Sequence, residues 1–153
     1  MRNAGFIWIV SLIMLGITQS ALGQRDAGSL NNLGIRQNAL GQREAALVST
    51  QEAAGIYRKL SASRPEAFLP YLATSLHNLG IWQRDLGRPE AALASAEGAL
   101  EAIWPLFLAL PAAFEHHTGI YLAALLERLA DLGRPPTPAL LDRQAIFDAK
   151  RTA

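Results

Sequence analysis

The sequence predicts an all-α fold in which antiparallel helix-turn-helix units stack as a short α-solenoid, and three observations carry that expectation. The first is internal repetition. At an offset of 46, Ser29-Leu30, Leu33-Gly34-Ile35, Gln37 and Leu40-Gly41 align with Ser75-Leu76, Leu79-Gly80-Ile81, Gln83 and Leu86-Gly87. Glu44-Ala45-Ala46-Leu47 aligns with Glu90-Ala91-Ala92-Leu93, RPEAF at 64–68 faces LPAAF at 110–114, and LGRP at 86–89 returns at 132–135. The second is spacing, because the leucines of each copy recur at three and four residues, the stripe of an amphipathic helix. The third is punctuation: a glycine closes each leucine stripe and prolines stand near the helix ends. Self-similarity of fixed period marks a stacked array whose units bury their apolar faces only against neighbours.

In the first unit, Leu30, Leu33, Gln37 and Leu40 form the core stripe of a first helix, and Gly41 stands where a left-handed C-cap belongs. Ala46, Thr50, Ala53, Tyr57 and Leu60 define a second helix running to about Ser61. Arg64-Pro65 closes it, since proline lacks the N–H and disfavours helix in the preceding residue. The second unit repeats the arrangement with Leu76, Leu79, Gln83, Leu86 and Gly87, then a helix opening near Pro89 that carries Ala92, Ala96, Ala99 and Ile103. Pro105 is expected to kink or stop that helix. A third unit follows with Leu122, Leu125, Leu129, Leu132 and Gly133, and its last helix takes Thr137 as N-cap with Pro138 in the first turn. Leu140, Leu141, Ala145 and Phe147 are read as the inner side of that helix, with Asp142, Arg143, Asp148 and Lys150 elsewhere on it. The units fall at about 29–74, 75–120 and 121–150, within a repeat domain covering 24–150.

Gly34 and Gly80 lie inside helices, where glycine costs about 1 kcal/mol relative to alanine. Close approach of the facing helix offsets that cost, and Ala46, Ala53, Ala92 and Ala99 are small enough to meet it. Leu126 replaces the glycine in the third copy, which predicts looser packing there.

Leu33-Gly34, Leu40-Gly41, Ala46-Leu47 and Ala53 in the first unit, and Leu79-Gly80, Leu86-Gly87, Ala92-Leu93 and Ala99 in the second, resemble the tetratricopeptide repeat pattern. The third copy keeps only Leu132-Gly133 and leucines. The period exceeds the roughly 34 residues usual for that family and falls among the periods of about 40–47 of HEAT and armadillo arrays. The chain is therefore similar to the long-period variant found in kinesin light chains and large bacterial repeat proteins. The resemblance implies a right-handed superhelix whose first helices line a groove for a peptide or protein segment, a scaffold without catalysis. It also implies that asparagine in the first helix contacts the ligand backbone, and Asn32 and Asn78 are the positions that match.

Beside the core stripe, the groove side of the first helix carries Asn31, Asn32, Ile35 and Asn38, and the second unit offers Thr74, His77, Asn78, Ile81, Arg84 and Asp85. Asparagine is a poor helix former because its amide competes for nearby backbone groups. An amide both donates and accepts, so it pairs with an extended peptide without demanding a sequence. Trp82, which replaces Arg36, reads as a packed boundary residue, and Trp104 and Phe107 read as core.

Chemistry is sparse elsewhere. His116 and His117 are adjacent and so about 100° apart on a helix, whereas helical metal pairs want spacings of three or four. No phosphate-cradling, dinucleotide-binding or nucleophile-elbow motif occurs, so neither enzyme activity nor a cofactor or metal is expected. Fourteen Lys and Arg against thirteen Asp and Glu leave a net charge of +1, which makes no case for nucleic acid. Zero cysteines exclude a disulfide framework and a thiolate nucleophile. The expected function is a non-catalytic module binding a peptide or protein segment. The alternative is a regulatory or structural remnant of a longer repeat-containing signalling protein, with no ligand of its own.

The N-terminus carries a further copy. SLIMLGITQSALGQRDA at 11–27 matches SLNNLGIRQNALGQREA at 29–45 in twelve of seventeen positions, at a spacing of 18. By descent it is a first helix that lost its mate. By composition it ends an uncharged run from Asn3 to Gln24, preceded by Arg2, strongly apolar from Ala4 to Ile17, with Ala21 and Gly23 at the small positions before a cut. Those are the parts of a signal peptide or membrane anchor over residues 1–23. Export, or membrane association through residues 4–21, is the expectation. The alternative is cytoplasmic, with an apolar capping helix packed on Leu30 and Leu33. Removal of the segment would uncover the first unit and predicts a homo-oligomer.

Overall fold

The computed structural model describes residues 3–151, with side chains from Met14 onward except Ile17. Most apolar side chains of the expected signal or anchor segment lie outside the described residues. Among the described residues six helices follow one another: α1 (Asn3–Ala39), α2 (Arg43–Ser63), α3 (Pro65–Asp85), α4 (Pro89–Ala109), α5 (Pro111–Asp131) and α6 (Pro138–Arg151). No strand occurs among the described residues. Each helix packs on the next, and α1 also touches α3. The chain is an all-α array of paired helices.

Two kinds of corner alternate. Between partners of a pair, Gly41, Gly87 and Gly133 adopt φ of 75°, 68° and 64°, conformations closed to most L side chains. The amides of Gln42, Arg88 and Arg134 then donate back to the carbonyls of Gln37, Gln83 and Leu129 at 2.8, 2.9 and 2.9 Å, completing the helix C-cap. Between pairs, Arg64 and Leu110 are single extended residues at φ −138°, and Pro65 and Pro111 open the next helix. Thus α3 begins upstream of Ser75, where the offset placed a unit boundary, and α5 begins upstream of Tyr121.

Polar links repeat with the period. Ser49 donates to Gln37 at 2.8 Å and Ser95 donates to Gln83 at 2.6 Å, which explains the glutamine within the first two leucine stripes. Arg88 bridges Glu44 and Arg134 bridges Glu90, tying each pair corner to the preceding pair.

The core follows the predicted small residues, with Ala46, Thr50, Ala53, Tyr57, Ala92, Ala96, Ala99 and Ile103 all buried. A Cβ on Gly34 would press on Thr50 Oγ1 and on the Ala46 carbonyl, and one on Gly80 would sit 3.3 Å from the Ala92 carbonyl. The glycines therefore let helices α1 and α3 approach α2 and α4 closely, against Thr50 and Ser95 rather than Ala53 and Ala99. Trp82 is packed, and Trp104 and Phe107 are core. By length and composition α4 could cross a membrane, at a mean hydropathy of 1.3, yet most of it is buried between its neighbours.

Four expectations are corrected. The stripe of Leu30, Leu33 and Leu40 is not core: Leu33 is 45% exposed and Leu40 74%, because no earlier pair covers α1. The N-terminal segment is not a separate cap, since residues 3–27 continue in the same helix as Leu30 and Leu33 and cannot fold back on them. Of the kink or stop expected at Pro105, the stop is overturned, since α4 runs on to Ala109. Pro105 and Glu101, four residues back, are both exposed, while buried Trp104 and Phe107 hold the turns around the proline. In α6 the buried residues are Leu140 and Phe147, whereas Leu141 and Ala145 are exposed. The Thr137 cap is present, with Oγ1 accepting from the Leu140 amide at 3.2 Å.

Candidate functional site

The residues singled out from sequence lie on α1 and α3. At the 46-residue offset they form four equivalent pairs, Asn31 with His77, Asn32 with Asn78, Ile35 with Ile81 and Asn38 with Arg84. Asn32, Ile35 and Arg84 are exposed, and the other five are half-buried. Asn31 and Asn38, two turns apart on α1, each hold a side-chain oxygen that is buried without a hydrogen-bond partner. Such an unmet acceptor costs about 1–3 kcal/mol.

On α3 the candidates are engaged with α5. Thr74 and the Tyr121 hydroxyl share a hydrogen bond of 3.1 Å, and the His77 ring packs on Tyr121 with centroids 5.0 Å apart. Arg84 meets Glu127 at 2.7 Å and Asp85 at 4.0 Å. Arg128, only 4% exposed, reaches Asp131 at 3.2 Å and Glu127 at 3.4 Å. A ligand carboxylate approaching Arg84 must therefore compete with Glu127. Burial, and then the charge of Arg128, hold the His77 imidazole below its ordinary 6.5. Burial raises the Tyr121 hydroxyl above 10.0, with the Thr74 hydrogen bond opposing.

Tyr121, Glu127 and Arg128 were not among the sequence candidates. Arg128 had left a signal: it interrupts the Leu122, Leu125 and Leu129 stripe and occupies the place of Trp82 one offset earlier. His116 and His117 stand with ring centroids 5.7 Å apart, and no cluster of three metal-ligating side chains occurs among the described residues.

A family model described as tetratricopeptide repeat matches residues 72–103, from the second turn of α3 to Ile103 in α4. No curated protein and no solved structure matches the chain. Tetratricopeptide repeats generally mediate protein–protein interaction and are typically non-catalytic. The matched stretch holds Leu79-Gly80, Leu86-Gly87 and Ala92-Leu93 in one α-helical pair, and this pair of α3 and α4 is accordingly similar to a tetratricopeptide repeat.

Proposed function

We propose that the chain is a non-catalytic module that binds an extended peptide or protein segment along α1 and α3. The observation that carries this is the row of amides on α1, in which Asn31 and Asn38 hold unpaired buried oxygens beside exposed Asn32. Rotating either amide outward exchanges an unmet acceptor for one paired with a peptide N–H. Part of the binding energy then comes from relieving a cost already present in the free chain. Asn78 repeats Asn32 on α3, so successive backbone amides of one segment have two matched partners.

The test is enrichment of a displayed library of random peptides on the full chain. Wild type enriches a set of peptides, and the double variant Asn32→Ala, Asn78→Ala loses the enrichment while keeping its far-ultraviolet circular dichroism. Equal enrichment by the folded double variant rejects the assignment of this wall.

A further inference from the structure

We propose that the uncovered face of α1 and α2 receives α6 of a second copy, so that copies join head to tail and continue the stack. Three clefts occupy one place in the repeat. In the middle of the array, Gln51, Ala54 and Arg58 of α2 lie over Leu76 and Leu79. One offset on, Leu125 lines the next cleft together with Glu97 of α4 and Leu140 of α6. One offset back, Leu30 and Leu33 line a cleft with Asp26, Ser29, Glu52 and Ile56, and no helix among the described residues covers it. Leu79 and Leu125 are 6% and 5% exposed, and their equivalent Leu33 is 45% exposed.

The register names the segment that fits. Counting by 46, the covering positions Gln51, Ala54 and Arg58 become Glu97, Leu100 and Trp104 on α4, and then Arg143, Ile146 and Lys150 on α6. Among the described residues no pair lies over this row on α6, and Ile146 is 41% exposed. Charge agrees with the assignment. The uncovered cleft holds the carboxylates of Asp26 and Glu52, where the second unit has Leu72 and Gly98, and the α6 row brings Lys150 and Arg143. Arg143 already bridges Glu101 at 2.7 Å, so Lys150 is the cation assigned to the new contact. The chain's own N-terminal segment cannot take this place, because it continues α1. A heterologous contact of this kind does not close on itself and gives open chains of copies. It lacks one link of the internal pairs, since Gln42 and Pro136 stand where the corner bridge needs arginine and glutamate. The junction is therefore reversible.

Sedimentation of the full chain over a concentration series tests this. Wild type shifts to larger species as concentration rises, and more so at low salt. Leu33→Glu and Ile146→Glu each weaken association by about tenfold or more, as expected for an apolar residue at the centre of a contact. An equimolar mixture of the two restores a dimer and nothing larger, because each variant retains the face that the other lost. Glu52→Lys, at an exposed position, weakens association as well, and mixing it with Lys150→Glu recovers the contact. Wild type that stays monomeric, or variants that associate as wild type does, overturns the proposal. Association driven by the apolar residues 4–17 would give that second result. Asn32 and Asn78 are unaltered throughout, so peptide enrichment and self-association can fail separately.

Discussion

Trp82 donates from its indole nitrogen to Thr50 Oγ1 at 3.1 Å, with both residues buried, and this bond ties α3 to α2. Thr50→Val keeps the shape of the side chain and removes the acceptor. The indole N–H is then left unpaired away from water, at a cost of about 1–3 kcal/mol. Urea unfolding of the two proteins measures the difference, and equal midpoints would mean that the indole finds another acceptor.

Gly34 and Gly55 give opposite outcomes for the same substitution. Alanine at Gly34 must displace Thr50, whose hydroxyl is held by Trp82, and must also push on the Ala46 carbonyl at 3.1 Å. Overpacking of this kind costs about 1–3 kcal/mol. At Gly55 nothing lies within 4 Å, so Gly55→Ala gains the helix-propensity difference of up to about 1 kcal/mol. Thermal melts of the two variants should move apart in sign.

Leu33 shows how far periodicity reaches. A stripe of leucines identifies the face a helix would bury, and the same stripe on α3 and α5 is buried, but spacing does not say whether anything lies against it. On α1 nothing does. The glycine corners were legible because a left-handed residue after a helix is a local requirement, met by Gly41, Gly87 and Gly133 alike. The continuation of α4 through Pro105 was not legible, because it depends on which side of the helix the proline faces. The contacts of Tyr121, Glu127 and Arg128 with α3 were equally hidden, since they arise where two helices distant in sequence come side by side. Gln37 and Gln83 were visible as repeats, though their partners Ser49 and Ser95 were not.

The His77 environment makes stability depend on pH in a stated direction. Its folded-state affinity for a proton is lowered by burial and by Arg128, and the facing groups include Tyr121, with Arg84 and Glu127 further along the helices. Between the depressed value and 6.5 the unfolded chain binds more protons than the folded one. This contribution is therefore complete above 6.5 and is lost as pH falls below it. Asn31 occupies the equivalent position on α1, so His77→Asn is a natural substitution. The difference in melting temperature between wild type and this variant should shift against wild type as pH is lowered from 7.5 to 5, with His116 and His117 common to both. A constant difference across that range would mean that His77 titrates alike in both states.

Pro105 carries a cost that the fold does not need. Proline inside a helix removes one backbone hydrogen bond and crowds the carbonyl four residues back, here that of Glu101, for about 3 kcal/mol relative to alanine in an unstrained site. Pro105 is exposed and Trp104 and Phe107 lie in the core beside it, with ring centroids 5.4 Å apart, so the side chain itself adds little packing. Pro105→Ala should restore the bond and stabilise the chain by about 1–2 kcal/mol, less than the full propensity gap because proline also restricts the unfolded chain. The gain should appear as a higher urea midpoint with an unchanged slope, since the surface exposed on unfolding is the same. A loss of stability would show that the turn is shaped around proline, with Trp104 and Phe107 positioned by a bend that alanine does not keep.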